Sequence, residues 1–405
     1  MELGPIWRAM LRNKTSYILI ALQIAVTMAI MVNAIGIIQE RSQLMARPSG
    51  VDEDNLFYVN STRFAPDVDF QALVAEDLAA IRTFPGVRNA IMTNTVPLQG
   101  GGWSQGLQAE PGEEIDAAGV AVYFVDEHGI DTFGVNLIAG RNFTPTEITW
   151  YDPEGDIRWP PLTVISQAMA AELYPDLAPE EVLGKVAYID DVIPITIIGI
   201  TERLQAAWKS WSGVERSMLV PFKRGENYAR YVIRTEPGYR DEVIPQIEQM
   251  LAESNKGRIL NHTRTMTEVR ERSYLEDSAM IKLLVFIVGL LTAITSLGIV
   301  GLASFSVARR TRQIGTRRAL GASRLAILRY FMLENFLVSS VGVFGGATLA
   351  VALNIWMVQT FELTPVAWYL IPAAMLTLWI VGQLAVYGPA RRASMVSPAV
   401  ATRAV

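Results

Sequence analysis

Cysteine is absent from all 405 residues, which excludes a disulfide framework and any thiolate metal site while leaving the compartment open. Only two histidines occur. His128 and His262 lie far apart and lack ligand spacing such as H-E-x-x-H, so both read as surface residues and no metal is assigned. No G-x-x-x-x-G-K-[ST] loop is present either: Gly184-Lys185 is followed by Val186, without the spacing or the hydroxyl that cradles a phosphate. Carboxylates are plentiful, yet the neighbours Asp126-Glu127 and Glu180-Glu181 read as solvated caps and turns rather than an acid/base pair. Nothing here predicts an enzyme or a cofactor bound by this chain.

What is present is apolar residue in long blocks. Hydrophobic residues make up 51% of the chain, too many for an ordinary soluble protein, and 40 acids with 35 bases must still find water. Four runs are long enough to cross a hydrocarbon core as helices: residues 17–38, 280–307, 331–358 and 368–387. The fold class expected is a membrane protein of four transmembrane α-helices plus a large α+β extracytoplasmic domain, residues 39–279, with two lobes on helical stalks.

Basic residues near the runs set an orientation, because Lys and Arg in short flanking segments stay in the cytoplasm. Arg8, Arg12 and Lys14 precede the first run; Arg309, Arg310, Arg312, Arg317, Arg318, Arg324 and Arg329 fill the loop 308–330; Arg391, Arg392 and Arg403 follow the last run. The connection 359–367 carries Glu362 and no base, which suits the opposite side. Both termini, 1–16 and 388–405, are thus expected on the cytoplasmic side of the membrane. Residues 39–279 hold 37 acids against 21 bases, net −16, and the rest is net +11. A cleaved leader is the alternative for the first run, but the run has 22 residues, and removing it places the basic tail opposite the basic loop.

Within 39–279, periodicity and turn residues predict two similar units, a strand at 56–62, helix at 70–83 and strand at 87–95, then a strand at 229–235, helix at 241–254 and strand at 258–263. Between them, about 100–220, a β-rich lobe is expected, with strands at 120–125, 162–165, 194–200 and 218–220 and a helix at 167–173. The segments after the first run and before the second hold helix formers, with no Gly or Pro between 266 and 284, so both spans are expected to continue as helical stalks.

The segment ARRTRQIGTRRALGASRLAILRYFMLENF, the small residues Gly342, Gly345 and Gly346 behind it, and the tail PARRASMVSPAVATR resemble the FtsX-like permease domain of MacB-type ABC transporters. FVDEHGIDTFGVNLIAGRNFTPTE, LTVISQAMAAELYP, VLGKVAYID and ITIIGITERL resemble that family's periplasmic core domain. The resemblance implies a dimerising permease driven by an ATPase, with cytoplasmic closure moving stalks and periplasmic domain, a mechanism called mechanotransmission. The archetype carries its nucleotide-binding domain at the N-terminus; with 16 residues before the first run and no P-loop, the ATPase, with its ATP and Mg, is expected in a separate subunit.

The loop itself is read in two ways. Ile314, Gly315, Arg317, Arg318, Ala319, Leu320, Gly321, Ala322 and Ser323 can form a short amphipathic helix under the membrane, Ile314, Leu320 and Leu325 upward and arginines outward, offering a knob and charge to an ATPase groove. Alternatively the arginines only set topology and touch lipid phosphates. Gly289, Ala293, Ser296, Gly298 and Gly301 permit close packing, either at a dimer axis with a second copy or a related permease, or within one protomer. Glu334 is expected to pair with Arg329 or Arg324, or to snorkel to the interface. Trp208 and Trp211 line a contact or pack within a lobe. A transporter for export or extraction and a transducer that regulates a cell-wall hydrolase or senses a ligand both fit; a periplasmic adaptor belongs to the first. Nucleic acid is not an expected partner.

Overall fold

The structure, a computed structural model, describes residues 14–64, 69–113, 116–150, 158–225, 227–361 and 364–398. Arg8, Arg12, Glu362 and Arg403 lie outside the described residues. The chain forms two compact units, Met1–Ala46 with Glu276–Val405, and Arg47–Leu275.

The first helix, α1 (Lys14–Ala46), stops just before Pro48. In the polar unit, β1 (Leu56–Arg63), α2 (Phe70–Arg82) and β2 (Val87–Met92) form the first β–α–β unit. Asp69 caps α2 by accepting hydrogen bonds from the amides of Gln71 and Ala72, and Phe70, Leu73, Val74, Leu78 and Ile81 fall on one buried stripe. Then come β3 (Trp103–Gln108), β4 (Ala118–Val125), α3 (Gly129–Phe133), β5 (Leu137–Gly140), β6 (Thr149–Trp150), β7 (Leu162–Ser166), α4 (Gln167–Leu173), α5 (Pro179–Val182), β8 (Val186–Ile189), β9 (Ile193–Thr201) and β10 (Ser217–Lys223). β11 (Tyr228–Thr235), α6 (Arg240–Ser254) and β12 (Arg258–Thr265) close the second β–α–β unit, and α7 (Met266–Ser273) ends the domain.

The two β–α–β units interleave in one antiparallel sheet of order β12-β1-β11-β2, the arrangement of a ferredoxin-like split βαβ fold. Phe57 and Val59 face α2 and α6, whose apolar stripes complete that core. The inserted segment makes a second lobe in which β4, β3, β8, β9, β7 and β10 run side by side and a parallel β4–β10 pairing closes the ring. Its core includes Val120, Val122, Ile165, Ile195, Ile197 and Val220, with Met169 of α4. Strands β3, β5, β6 and β8 are additional to those expected. β3 reads WSQGLQ, too polar and glycine-broken to signal a strand alone, and is held by its neighbours.

The lobes are tied by polar contacts. Asn94, just past β2, bonds to the β4 backbone through its side chain, Nδ2 donating to Val122 O at 2.9 Å and Oδ1 accepting from Phe124 N at 2.9 Å. Asp126, expected to be solvated, is fully buried and paired with Arg82 and Lys223; a turn carboxylate drawn into the lobe junction needs such partners.

Among the described residues, four helices are long and apolar enough to cross a membrane: α1, α8 (Leu275–Arg309), α10 (Arg324–Phe361) and α11 (Leu370–Ser394), with the short α9 (Thr311–Ala319) between α8 and α10. The helix leading into the second span is not continuous from Met266; it breaks at Tyr274. No glycine or proline causes this. Lys209 Nζ donates to the Ser273 carbonyl at 2.5 Å, and Tyr274 is buried with Lys209 and Arg270 over its ring, so tertiary contacts replace the next turn of helix.

Within the bundle α1 is the enclosed helix: 56% of its most apolar stretch is buried, against 11% for α8. Its backbone approaches α10 at Gly342 and Gly346, where a Cβ on Gly346 would lie 2.9 Å from Ala25 Cα and one on Gly342 2.7 Å from Ala21 O. Thr27 and Thr295 share a 2.8 Å hydrogen bond between α1 and α8.

Candidate coupling site

The arginine-rich loop folds as helix, turn, helix. α9 ends in a Schellman turn: Gly321 N–H donates to Arg318 O at 3.2 Å and Ala322 N–H to Arg317 O at 3.0 Å, with Gly321 at φ +96°, which glycine adopts without a Cβ penalty. Ser323 Oγ then accepts from Ala326 N at 3.1 Å and starts α10.

These nine residues divide by role. Ile314 and Gly315 are buried, and Ile314 packs on Ile327, Tyr330 and Phe331 of α10 and on Ala390 and Ala393 of α11. Ala322 packs at the edge of that cluster. Arg317 lies 5.1 Å from the Tyr330 ring centre, and Arg318 Nη1 donates to Ala322 O at 3.3 Å across the turn. Ala319, Leu320, Gly321 and Ser323 are exposed. Ile314, Leu320 and Leu325 do not share the one face expected of them: Ile314 is 4% exposed, whereas Leu320 is 83% and Leu325 52% exposed. The left-handed Gly321 ends the helix just after Leu320 and leaves that side chain without neighbours, more exposed than any other large hydrophobic residue among those described.

Glu334 does not pair with Arg329 or Arg324, and it does not snorkel; it is 4% exposed, while both arginines are exposed. Five residues along a helix is a rotation of about 140°, which points Arg329 away from Glu334. The partner is Arg310, whose Nη1 donates to Glu334 Oε1 at 3.0 Å and Oε2 at 3.1 Å. Tyr17 OH donates to Glu334 Oε1 at 2.5 Å, and Arg310 Nη2 donates to Tyr17 OH at 3.2 Å. A closed triad thus joins α1, the α8–α9 junction and α10. Arg310 was legible only as one of seven arginines, and nothing local to Tyr17 signals a partner 317 residues away.

The small residues of the second span also divide. Gly298 lies against Gln23, whose Oε1 would be 2.8 Å from an added Cβ, and Ser296 Oγ donates to Thr292 O of its own helix at 2.8 Å. Gly289, Ala293 and Gly301 are exposed, and a Cβ on Gly289 or Gly301 would meet nothing within 4 Å.

In the polar domain, Trp208 and Trp211 stack edge to face at 5.9 Å and are half-buried; Trp211 lies over Gly119 and beside Arg216, which is packing within the lobe. Glu53 is held below the usual carboxylate range: burial acts to raise it, but hydrogen bonds from Arg270 and Ser49 outweigh that. Among the described residues no group of three or more His, Cys, Asp or Glu side chains is placed to hold a metal ion.

Comparison with known proteins matches residues 17–250 to the MacB-like periplasmic core domain and residues 285–398 to the FtsX-like permease C-terminal. The macrolide export ATP-binding/permease protein MacB of Azoarcus sp. (strain BH72) is 26% identical over 81% of this chain and 48% of its own length. MacB 1 of Yersinia pestis bv. Antiqua (strain Antiqua) is 24% identical over 97% of this chain and 59% of its own. An ABC transporter permease of Bacillus subtilis (strain 168), YknZ, is 24% identical over 72% of this chain and 71% of its own. The chain therefore spans about half the length of the MacB relatives it matches. The crystal structure of the periplasmic region of MacB from Actinobacillus actinomycetemcomitans aligns with 57% of this chain and 97% of that one, at 12% identity and a TM-score of 0.35.

Proposed function

The chain belongs to the MacB-like periplasmic core domain family, with an FtsX-like permease C-terminal segment, and from that premise we propose that it is a permease moved by ATP hydrolysis at a nucleotide-binding subunit outside these 405 residues. ATP and Mg bind that subunit. Closure there displaces the α9–α10 turn, the bundle passes the displacement along α1 and α8, and the periplasmic core domain moves, so that a substrate is exported or extracted by mechanotransmission without a channel through the four spans. The basic flanks of the spans support an inner-membrane protein with both termini cytoplasmic, its exposed arginines against lipid phosphates. The exposed face of Gly289, Ala293 and Gly301 on α8 supports a dimer with a second copy or a related permease. A periplasmic adaptor fits the same reading.

The observation that carries the proposal is Leu320: a leucine 83% exposed, on a turn held rigid by the Gly321 motif beneath it and flanked by exposed arginines. That side chain is spent on little packing within the protomer and, beside charge, is available to a groove on the ATPase. Deleting residues 315–323 removes the buried Gly315 as well, so Leu320→Asp is the cleaner variant. Purified in mild detergent with its co-expressed ATPase, Leu320→Asp is expected to lose permease-stimulated ATP hydrolysis while the bundle remains folded. Unchanged stimulation overturns the proposal.

A further inference from the structure

The Tyr17–Arg310–Glu334 triad asks for an explanation that topology does not supply. Orientation in the membrane requires arginines at this end of the bundle, and exposed ones suffice. Burying a carboxylate and a guanidinium instead is costly, and their mutual attraction returns little beyond that cost. What the triad does provide is a fixed geometry between elements that the chain does not connect directly.

Arg310 occupies the bend between α8 and α9. Its backbone N–H donates to Ser306 O and Val307 O at 3.2 Å, closing α8, and its carbonyl accepts from Ile314 N at 2.9 Å, opening α9. Its side chain meanwhile holds α1 through Tyr17 and α10 through Glu334. α1 then runs unbroken from Lys14 to Ala46, where the chain enters the polar domain. Further contacts join α1 to α8, among them the Thr27–Thr295 hydrogen bond midway and the Arg41–Asp277 ion pair near the far end, where the Asp277 side chain is 6% exposed.

We propose that Glu334 is a positioning residue for coupling: by clamping Arg310 and Tyr17 it fastens the root of α9 to α1, so that displacement of the Leu320 turn reaches α1 directly as well as through α8. The clamp rests on the reading of the Leu320 turn as the ATPase contact, and the test separates the two. The chain has no cysteine, so Ser42→Cys, at an exposed position on α1, gives a single maleimide target in the permease. In the full complex, ATP is expected to change its labelling rate.

Glu334→Gln keeps the shape and removes the charge. It is expected to retain the co-purifying ATPase and to reduce both the ATP-dependent labelling change and stimulated hydrolysis about tenfold or more, the size of an ordinary coupling free energy. Leu320→Asp is expected to lose both responses at the docking step instead. The swap Arg310→Glu with Glu334→Arg should recover part of the response. A merely structural role lowers the unfolding temperature of Glu334→Gln but leaves the response of the folded fraction intact, and that result overturns the clamp while the Leu320 contact stands. Should Glu334→Gln fail to fold, Tyr17→Phe decides, since it removes one hydroxyl and keeps the ring; an undiminished response there overturns the clamp. No ATP-dependent labelling in the chain carrying only Ser42→Cys overturns the coupling reading and the clamp together.

Discussion

Arg82 of α2 and Asp126 at the end of β4 meet at 2.7 Å across the junction of the two lobes, and Lys223 approaches the same carboxylate oxygen at 3.4 Å. Asp126 is completely buried, so its charge has no water to fall back on. Asp126→Ala leaves two part-buried cations without their shared carboxylate, and removing one member of such a group typically costs about 3 kcal/mol. Thermal unfolding of the full chain in detergent is expected to show a lower midpoint for the polar domain, with Arg82→Ala smaller because Arg82 is partly exposed. An unaltered midpoint for Asp126→Ala rules out the ion pair as an interlobe tie.

Acid should loosen the polar domain through carboxylates held below their ordinary range. Glu147, hydrogen-bonded by Arg141 and by the Thr144 amide, is lowered from 4.5 to about 2, and Glu53 is lowered by Arg270 and Ser49 against the opposing effect of burial. A group whose folded pKa is depressed contributes stability above its unfolded value and loses it as pH falls through the folded value. The Glu147 contribution is therefore complete above pH 4.5 and gone below about 2. Glu147→Gln and Glu53→Gln should each flatten the acid limb of the unfolding midpoint plotted against pH.

Two glycines in apolar helices should respond oppositely to enlargement. Gly346→Leu forces side-chain atoms into the Ala25 backbone 2.9 Å away, and overpacking of this kind costs about 1–3 kcal/mol. Gly301→Leu meets no atom within 4 Å and is expected to leave protomer stability nearly unchanged. If α8 forms a dimer face, Gly301→Leu will shift the oligomeric state measured by light scattering in detergent, and Gly346→Leu will shift the unfolding midpoint instead.

The 2.8 Å contact between Thr27 and Thr295 predicts that Thr27→Cys with Thr295→Cys forms an intramolecular disulfide on mild oxidation. Because no other cysteine is present, mass analysis of the oxidised chain gives an unambiguous answer. Two free thiols after oxidation would contradict the packing of α1 on α8.

Much of the architecture was legible because it is local. Twenty apolar residues in a row need no partner to declare a span, and the stripe of Phe70, Leu73, Val74, Leu78 and Ile81 declares its helix through its own spacing. The strands of the interleaved sheet were legible one by one. Their order was not, since β1 pairs with β11 about 170 residues later and no property of either strand encodes its neighbour. The candidate coupling segment was likewise visible as arginines around two glycines, whereas its division into buried Ile314 and displayed Leu320 was not.

By itself, then, the sequence determined where the chain enters and leaves the apolar phase, how charge divides between the two units, and which short segments become helices or strands, because hydropathy, capping and turn chemistry act over a few residues. Only the tertiary structure decided that Glu334 faces Arg310 and Tyr17 rather than Arg329, that Lys209 ends a helix at Ser273, and that Asp126 is dry. Each of those is a polar group whose environment is set by side chains far away in sequence, and the cost of burying it unpaired selects the partner.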